Sequence, residues 1–194
     1  MKRKIFDVII VALVAWALYL LFTWRIESAV STSSWNNLKY FTVQSNILMG
    51  LVCLWNLVSN RDHPYFVLAG TVSLALTALT VVAFLGPVFG WEIMYMGFNL
   101  YMHAIVPILA IIRFMVCQTG KDIKFSGIWK GSILMILYGI VYAANIIVNG
   151  ISRETDWYGF AMWGRWSIIP VFIIIFAITY LLGLIIWKLG GGRR

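Results

Sequence analysis

The sequence predicts an all-α membrane protein, a bundle of six transmembrane helices. Hydrophobic residues make up 62% of the 194 positions and charged residues only 11%, and the mean hydropathy is +0.89. Such a chain has too little polar surface to cover a soluble globule. Six apolar stretches of roughly 20 residues follow one another, each long enough to span as a helix. They are continuous, whereas the strands of a membrane barrel alternate in polarity.

The predicted spans form one domain over residues 1–194. They cover residues 6–23, 38–59, 66–89, 93–116, 128–148 and 167–188. The first follows a basic start, Met-Lys-Arg-Lys, as a signal peptide would. Its apolar run of about 18 residues has the length of a span, and no small-residue cleavage site follows it, so we interpret it as a membrane helix.

The distribution of lysine and arginine predicts that both termini are cytoplasmic. With the N-terminus inside, eleven of the fifteen basic residues fall on the cytoplasmic side. The cytoplasmic set is Lys2, Arg3, Lys4, Arg61, Arg113, Lys121, Lys124, Lys130, Lys188, Arg193 and Arg194, and the external set is Arg25, Lys39, Arg153 and Arg165. These charges are scattered at helix ends, which favours anionic lipid at the cytoplasmic face as a partner and disfavours nucleic acid.

The longer predicted loops, 24–37 and 149–166, are external. The second is rich in aromatic residues, including Trp157, Tyr158 and Trp163. Two interpretations are open for it: an aromatic lid over the external face of the bundle, or an anchor in the lipid headgroup layer.

No pattern indicates a metal or another cofactor. Cys53, His63 and Cys117 lack the spacing of a zinc site, and we expect both cysteines to be reduced packing residues. The predicted topology places His63 and His103 on opposite sides of the membrane, so they cannot ligate one haem.

Ionisable residues inside a span are costly and are functional candidates by default. Asp7 and Glu92 lie at span ends, so no acidic residue is expected deep in the membrane, which disfavours a proton-coupled carrier or a cation channel. His103 is expected about ten residues inside the fourth span, roughly 15 Å along its axis. Asn99, one turn earlier on the same face, is a candidate to hold the imidazole in one tautomer. Pro107, one turn later, is expected to bend the helix.

A second polar group, Thr42, Gln44, Ser45 and Asn46, opens the second span. Helical spacing places Thr42, Ser45 and Asn46 on one face. Thr42 is expected about four residues, or 6 Å, below the external surface. His103 is also reached from that side, and modest helix tilt would bring the two groups level.

The residues allow two interpretations of these groups. In the structural one, the threonine bonds back to its own helix while asparagine and histidine join helices. In the catalytic one, a hydroxyl nucleophile and a histidine base form a dyad without an acid. Asn46, Asn99, Gln44 and Ser45 are then the candidates to orient groups or to stabilise an oxyanion.

Two motifs carry a resemblance to a known family. They are Lys39-Tyr40-Phe41-Thr42 with Val43-Gln44-Ser45-Asn46, and Asn99-Leu100-Tyr101-Met102-His103 with Pro107. The chain resembles the family of the androgen-induced gene 1 protein, the androgen-dependent TFPI-regulating protein and related bacterial six-pass membrane proteins. The family often has Tyr-Pro-Phe before its last span, where this chain has Tyr158-Gly159-Phe160.

The resemblance implies a function. Eukaryotic members of that family are threonine hydrolases that cleave fatty acid esters of hydroxy fatty acids. By the resemblance, Thr42 would be the nucleophile, His103 the base, and a lipid or fatty acyl ester the substrate. Two alternatives stay open: a non-catalytic protein that binds or transports lipid in the same cavity, and a purely structural membrane subunit. No pattern indicates an oligomeric state.

Overall fold

A computed structural model describes residues 1–23 and 35–193, and within these ranges the regular structure is helical. Six helices are long and apolar enough to cross a membrane, which confirms the predicted fold class and makes the chain a multi-pass integral membrane protein. They are α1 (Lys2–Thr23), α2 (Phe41–Val58), α3 (Pro64–Phe89), α4 (Phe98–Val116), α5 (Phe125–Asn149) and α6 (Arg165–Leu189). Arg25, Arg194 and most of the predicted loop 24–37 lie outside the described residues.

The helix bounds agree with the predicted spans within a few residues, except at the start of α4. Gly90 and Gly97 have φ angles of +96° and +57°, which glycine adopts readily and other residues rarely do. They isolate a short helix, Trp91–Met94, from α4. His103 therefore lies five positions after Phe98, about 8 Å along the helix axis, and not at the predicted depth of roughly 15 Å.

Helix α3 is the centre of the bundle and packs against α2, α4, α5 and α6. Every residue from 67 to 77 is buried, and small side chains in this run allow close approach of the neighbouring helices. At Gly70, an added Cβ would lie 2.8 Å from the Met49 sulfur of α2. The contact between α2 and α3 thus depends on the missing side chain.

Two helices contain a five-residue π turn, Val81–Leu85 in α3 and Tyr101–Ile105 in α4. Each turn is followed two residues later by a proline, Pro87 or Pro107. Proline has no backbone N–H to donate to the preceding turn, so the regular ladder is interrupted there. The irregularity expected at Pro107 takes the form of a widened turn, a feature found frequently at functional sites.

The bundle has two distinct ends. One, which we call the terminal end, carries the starts of α1, α3 and α5 and the ends of α2, α4 and α6. There the Trp187 indole N–H of α6 donates to the carbonyl of Ile123 at 2.9 Å. The opposite end carries the starts of α2 and α4, and with them Thr42 and His103.

Candidate functional site

The backbone orients His103. Its Nδ1 lies 2.7 Å from the carbonyl oxygen of Met94, the last residue of the short helix before α4. A carbonyl oxygen only accepts, so Nδ1 carries the proton and Nε2 keeps its lone pair. The side chain is only 7% exposed, and Nε2 has no hydrogen-bond partner among the described residues. His103 is therefore held as the tautomer that a general base requires.

Thr42, the second residue of α2, differs from Thr80 and Thr179 in its hydrogen bonding. It resembles the buried Thr71, whose hydroxyl also has no partner among the described residues. The hydroxyls of Thr80 and Thr179 donate to carbonyls one turn earlier, at 2.8 and 2.6 Å. Within the described part of the chain, the Thr42 hydroxyl makes no hydrogen bond. Its position explains the difference, because in the first turn of a helix no helical carbonyl lies one turn earlier.

Asn46 joins the neighbourhoods of Thr42 and His103. Its amide nitrogen donates to the carbonyl of Thr42 at 2.8 Å and to the carbonyl of Met102, beside His103, at 3.1 Å. The side chain is fully buried, and its Oδ1 has no partner among the described residues. One N–H thus bonds within α2 and the other holds α2 against α4, while the acceptor Oδ1 is left over.

The other predicted polar residues bind the backbone. Asn99 donates to the carbonyl of Ile93 at 2.8 Å, and Gln44 donates to the carbonyl of Leu38 at 3.0 Å. The imidazole of His103 is oriented by the Met94 carbonyl and not by Asn99. Ser45 donates to the carbonyl of Thr42 at 2.9 Å, and its oxygen lies 3.1 Å from the Thr77 hydroxyl of α3.

Thr42 lies on the wall of a cavity of about 50 Å³ between α2, α3, α5 and α6. The walls are mainly aliphatic and aromatic, with the hydroxyls of three threonines and two tyrosines. The lining residues are Phe41, Thr42, Leu76, Thr77, Thr80, Leu85, Met135, Tyr138, Tyr158, Phe160, Phe172 and Ile175. His103 is not one of them, and no hydrogen bond joins it to Thr42 within the described ranges.

Residues 156–160, which we call the cover, lie over this cavity at the end of the bundle opposite the terminal end. The Asp156 carboxylate accepts the Tyr142 hydroxyl at 2.6 Å and the backbone N–H groups of Phe160 and Ala161 at 2.8 and 2.9 Å. The Tyr158 oxygen accepts the N–H of Phe41, the first residue of α2, at 3.1 Å. The cover is therefore bonded both to α5 and to the residue that precedes Thr42.

The two interpretations of loop 149–166 apply to different parts of it. Tyr158 and Phe160 line the cavity, as a lid would. Trp163 and Trp166 are exposed over most of their surface, as side chains that contact headgroups are. The lid and the headgroup anchor stay predictions, one for each of these two segments.

A second polar centre, which sequence reasoning missed, lies at the terminal end. Arg113 of α4 was counted as a loop charge, but it is fully buried. Its Nε donates to Asp7 at 3.0 Å, its Nη2 to Asp62 at 2.6 Å and its Nη1 to Thr119 at 3.1 Å. Asp7 also lies 3.7 Å from the Nε of Arg3. The sequence did contain a signal for this pair. Arg113 and Asp7 lie near the same end of two predicted spans, and ionisable residues in spans usually pair.

No group of three metal-ligating side chains is found in the described ranges. Cys53 is buried and Cys117 partly buried, and neither forms a disulfide. The Nδ1 of His63 lies 2.8 Å from the Oδ1 of Asn56, and its ring stacks on Trp55 with 3.9 Å between centroids. These three candidate ligands therefore do not form one site with each other.

No family model, curated protein or solved structure matches this chain. The resemblance carried by the Thr42 and His103 motifs stays a prediction.

Proposed function

We propose that this chain is an intramembrane hydrolase of fatty acyl esters, with Thr42 as the nucleophile and His103 as the general base. The observation that carries the proposal is the hydrogen bond between His103 Nδ1 and the Met94 carbonyl. It leaves the Nε2 of this buried histidine as an unprotonated acceptor. Among the described residues, the Thr42 hydroxyl at the start of the adjacent helix makes no hydrogen bond.

The two side chains have the properties that nucleophilic catalysis requires. A hydroxyl nucleophile needs a base whose other nitrogen is oriented by a third group. The Met94 carbonyl provides that orientation here without a carboxylate. Asn46 fixes the backbone of Thr42 against that of Met102. No hydrogen bond joins Thr42 to His103 within the described residues, so the catalytic contact has to form when substrate binds, as such contacts often do.

The reaction proceeds by acyl transfer. His103 Nε2 takes the hydroxyl proton of Thr42 as Oγ1 attacks the ester carbonyl carbon, and a tetrahedral intermediate forms. The carbon–oxygen bond to the alcohol breaks, and the alcohol leaves with the proton from Nε2. Water then gives a proton to Nε2 and attacks the acyl-threonine. The fatty acid is released as Thr42 regains its proton.

The cavity favours a lipid-like substrate. Its walls are mainly aliphatic and aromatic, while ligand pockets in proteins usually enclose about 300–1,000 Å³. A cavity of about 50 Å³ holds the ester group and a few methylene groups at most. The acyl chains therefore extend between helices into the surrounding lipid.

We further propose that both termini are cytoplasmic, which places Thr42 and His103 towards the external side. The excess of lysine and arginine at the terminal end supports this orientation. The same charges make anionic lipid the expected partner of that face.

A second candidate function is non-catalytic lipid binding or transport. Two observations favour it: no hydrogen bond joins Thr42 to His103 within the described residues, and His103 does not line the cavity. In that case the two side chains serve only as hydrogen-bonding groups for a bound lipid.

Covalent labelling with a fluorophosphonate probe separates the two functions. We expect the purified full chain to be labelled, and Thr42→Ala and His103→Ala to abolish labelling. The matched controls are Thr179→Ala, whose buried hydroxyl bonds its own helix, and His63→Ala, the other histidine. Both controls should be labelled like the wild type.

The labelled residue is then identified by mass spectrometry, with the probe expected on Thr42. Absence of labelling in the wild type, or undiminished labelling of Thr42→Ala, would reject the hydrolase. Lipid binding would then be the leading function. Co-purified lipid, measured in the same preparations, would support that outcome.

A further inference from the structure

The start of α2 leaves one backbone donor unused beside the proposed nucleophile. The first N–H groups of any helix have no helical acceptor and need partners elsewhere. The N–H of Phe41 donates to the Tyr158 oxygen, and those of Val43 and Gln44 donate to the Tyr40 carbonyl. Within the described residues, the N–H of Thr42 has no acceptor.

This unused donor adjoins the cavity. Thr42 lines the cavity wall, and the N-cap side chain of α2 accepts none of the N-terminal N–H groups of that helix. Unsatisfied N–H groups at a helix start attract negative charge, and the helix dipole adds to that attraction. The backbone N–H of the nucleophilic residue itself is one of the donors that stabilise the oxyanion in serine hydrolases.

Tyr158 provides a second donor on the same wall. Its oxygen is held 3.1 Å from the N–H of Phe41, the residue before Thr42, and its ring lines the same cavity. Because the oxygen accepts that bond, its own proton is left for another acceptor, and the Tyr138 hydroxyl is one group with which it interacts. Burial raises the pKa of Tyr158, so the hydroxyl stays protonated and remains a donor.

The neighbouring tyrosine is less suited to this role. The Tyr138 hydroxyl donates to the carbonyl of Lys39 at 3.0 Å and accepts the indole N–H of Trp157 at 2.9 Å. A weaker interaction links the hydroxyls of Tyr138 and Tyr158. A negatively charged oxygen would displace that interaction, because hydrogen bonds to charged groups are about twice as strong as neutral ones.

The amides expected to stabilise an oxyanion are committed elsewhere. Both N–H groups of Asn46 are used by backbone carbonyls. The amides of Gln44 and Asn99 are each bonded to a carbonyl of a preceding segment, and none of these three residues lines the cavity.

We propose that the backbone N–H of Thr42 and the hydroxyl of Tyr158 together form the oxyanion hole of this site. The proposal rests on the hydrolase function proposed above. As Thr42 Oγ1 attacks the ester carbon, the carbonyl oxygen gains negative charge and lies between the two donors. Tyr158 is thus a catalytic residue supplied by the cover, and closure of the cover completes the site.

The test compares Tyr158→Phe with Tyr65→Phe in the purified full chain, with p-nitrophenyl butyrate as the ester. Tyr65→Phe is the matched control, because the Tyr65 hydroxyl accepts the N–H of Lys124 at the terminal end and does not line the cavity. Loss of one oxyanion donor typically lowers kcat about 10²–10³-fold. We expect that loss for Tyr158→Phe with KM nearly unchanged, while Tyr65→Phe largely retains kcat.

A trifluoromethyl ketone provides a readout that a purely structural role would not change. Its tetrahedral adduct with a hydroxyl nucleophile carries the same developing oxyanion as the transition state. We expect Tyr158→Phe to weaken inhibition by the same factor by which it lowers kcat/KM. Equal losses in both tyrosine variants, or a Tyr158→Phe change confined to KM, would overturn the oxyanion hole.

Failure of the hydrolase function gives a different result. In that case the wild type neither reacts with the fluorophosphonate nor hydrolyses the ester in a Thr42-dependent manner, and the oxyanion hole is rejected with it. If Thr42-dependent hydrolysis is present and Tyr158→Phe retains full kcat, only the assignment of Tyr158 fails.

Discussion

Helix α4 carries a buried polar centre near each end, His103 in its π turn and Arg113 in its last turn. The nitrogens of Arg113 are all used, by two carboxylates and a hydroxyl. Around His103, the imidazole Nε2, the Thr42 hydroxyl and the Asn46 Oδ1 have no partner among the described residues. At the Arg113 centre one acceptor, the Asp7 Oδ2, has no hydrogen-bond partner among the described residues but lies 3.7 Å from the Arg3 Nε. A network in which every donor nitrogen is bonded stabilises one conformation, whereas unused donors and acceptors can interact with a substrate.

The two polar centres of the bundle also differ in charge. Arg113 is surrounded by Asp7 and Asp62, and Arg3 completes a neutral set. Opposite charges in a buried site make each partner necessary to the others. The centre at Thr42 and His103 contains no carboxylate hydrogen-bonded to either residue within the described ranges. We therefore expect changes at the two centres to affect different quantities, stability at one and reaction rate at the other.

The largest expected effect is on rate, at Thr42. Thr42→Val keeps the shape of the side chain and removes a hydroxyl that makes no hydrogen bond within the described residues. We expect ester hydrolysis to fall by about 10⁴-fold, as on loss of a catalytic nucleophile or base, while the free energy of unfolding changes by less than about 1 kcal/mol. Hydrolysis assays and thermal unfolding of the same preparation measure both. If Thr42→Val strongly destabilised the fold without lowering the rate, the Thr42 hydroxyl would be structural. The contrast between the Thr42–His103 centre and the Arg113 centre would then disappear.

The next effect is on stability, at Arg113. Arg113→Leu leaves Asp7 and Asp62 without their buried partner, which costs about 3–5 kcal/mol of folding free energy. Unfolding in increasing denaturant measures the loss. Replacement of Asp7 and Asp62 by leucine in the same chain should restore most of the stability, because no unpaired charge is then left. Wild-type stability of Arg113→Leu alone would show that the ion pairs contribute nothing.

A smaller effect is expected at Asn46, whose replacement should change both the stability and the reaction rate. Asn46→Leu removes one hydrogen bond between α2 and α4 and one within α2, but also a buried oxygen that has no partner among the described residues, so the net cost is about 1 kcal/mol. Hydrolysis should fall less than in Thr42→Val, because the nucleophile is displaced and not removed. The control is Asn149→Leu, whose amide is exposed. An unaltered rate in Asn46→Leu would show that Asn46 does not position Thr42.

Sequence reasoning identified the spans and the residues of the candidate site but not their bonding partners. Helix α4 begins later than the hydropathy suggests because of the backbone conformation at Gly97, so His103 is less deep than expected. The imidazole is held by a main-chain carbonyl, and every residue type has one. No side-chain pattern could therefore have indicated Met94.

The sequence by itself determined that the chain lies in the membrane as six helices, because the length and apolar character of a segment decide insertion. It also indicated a polar hydroxyl and an imidazole near the starts of α2 and α4. Only the tertiary structure decided which distant groups meet: Tyr158 binds Phe41 across 117 positions, and Arg113 binds Asp7 across 106. Such contacts arise from the packing of whole helices, and a periodic pattern within one segment does not contain that information.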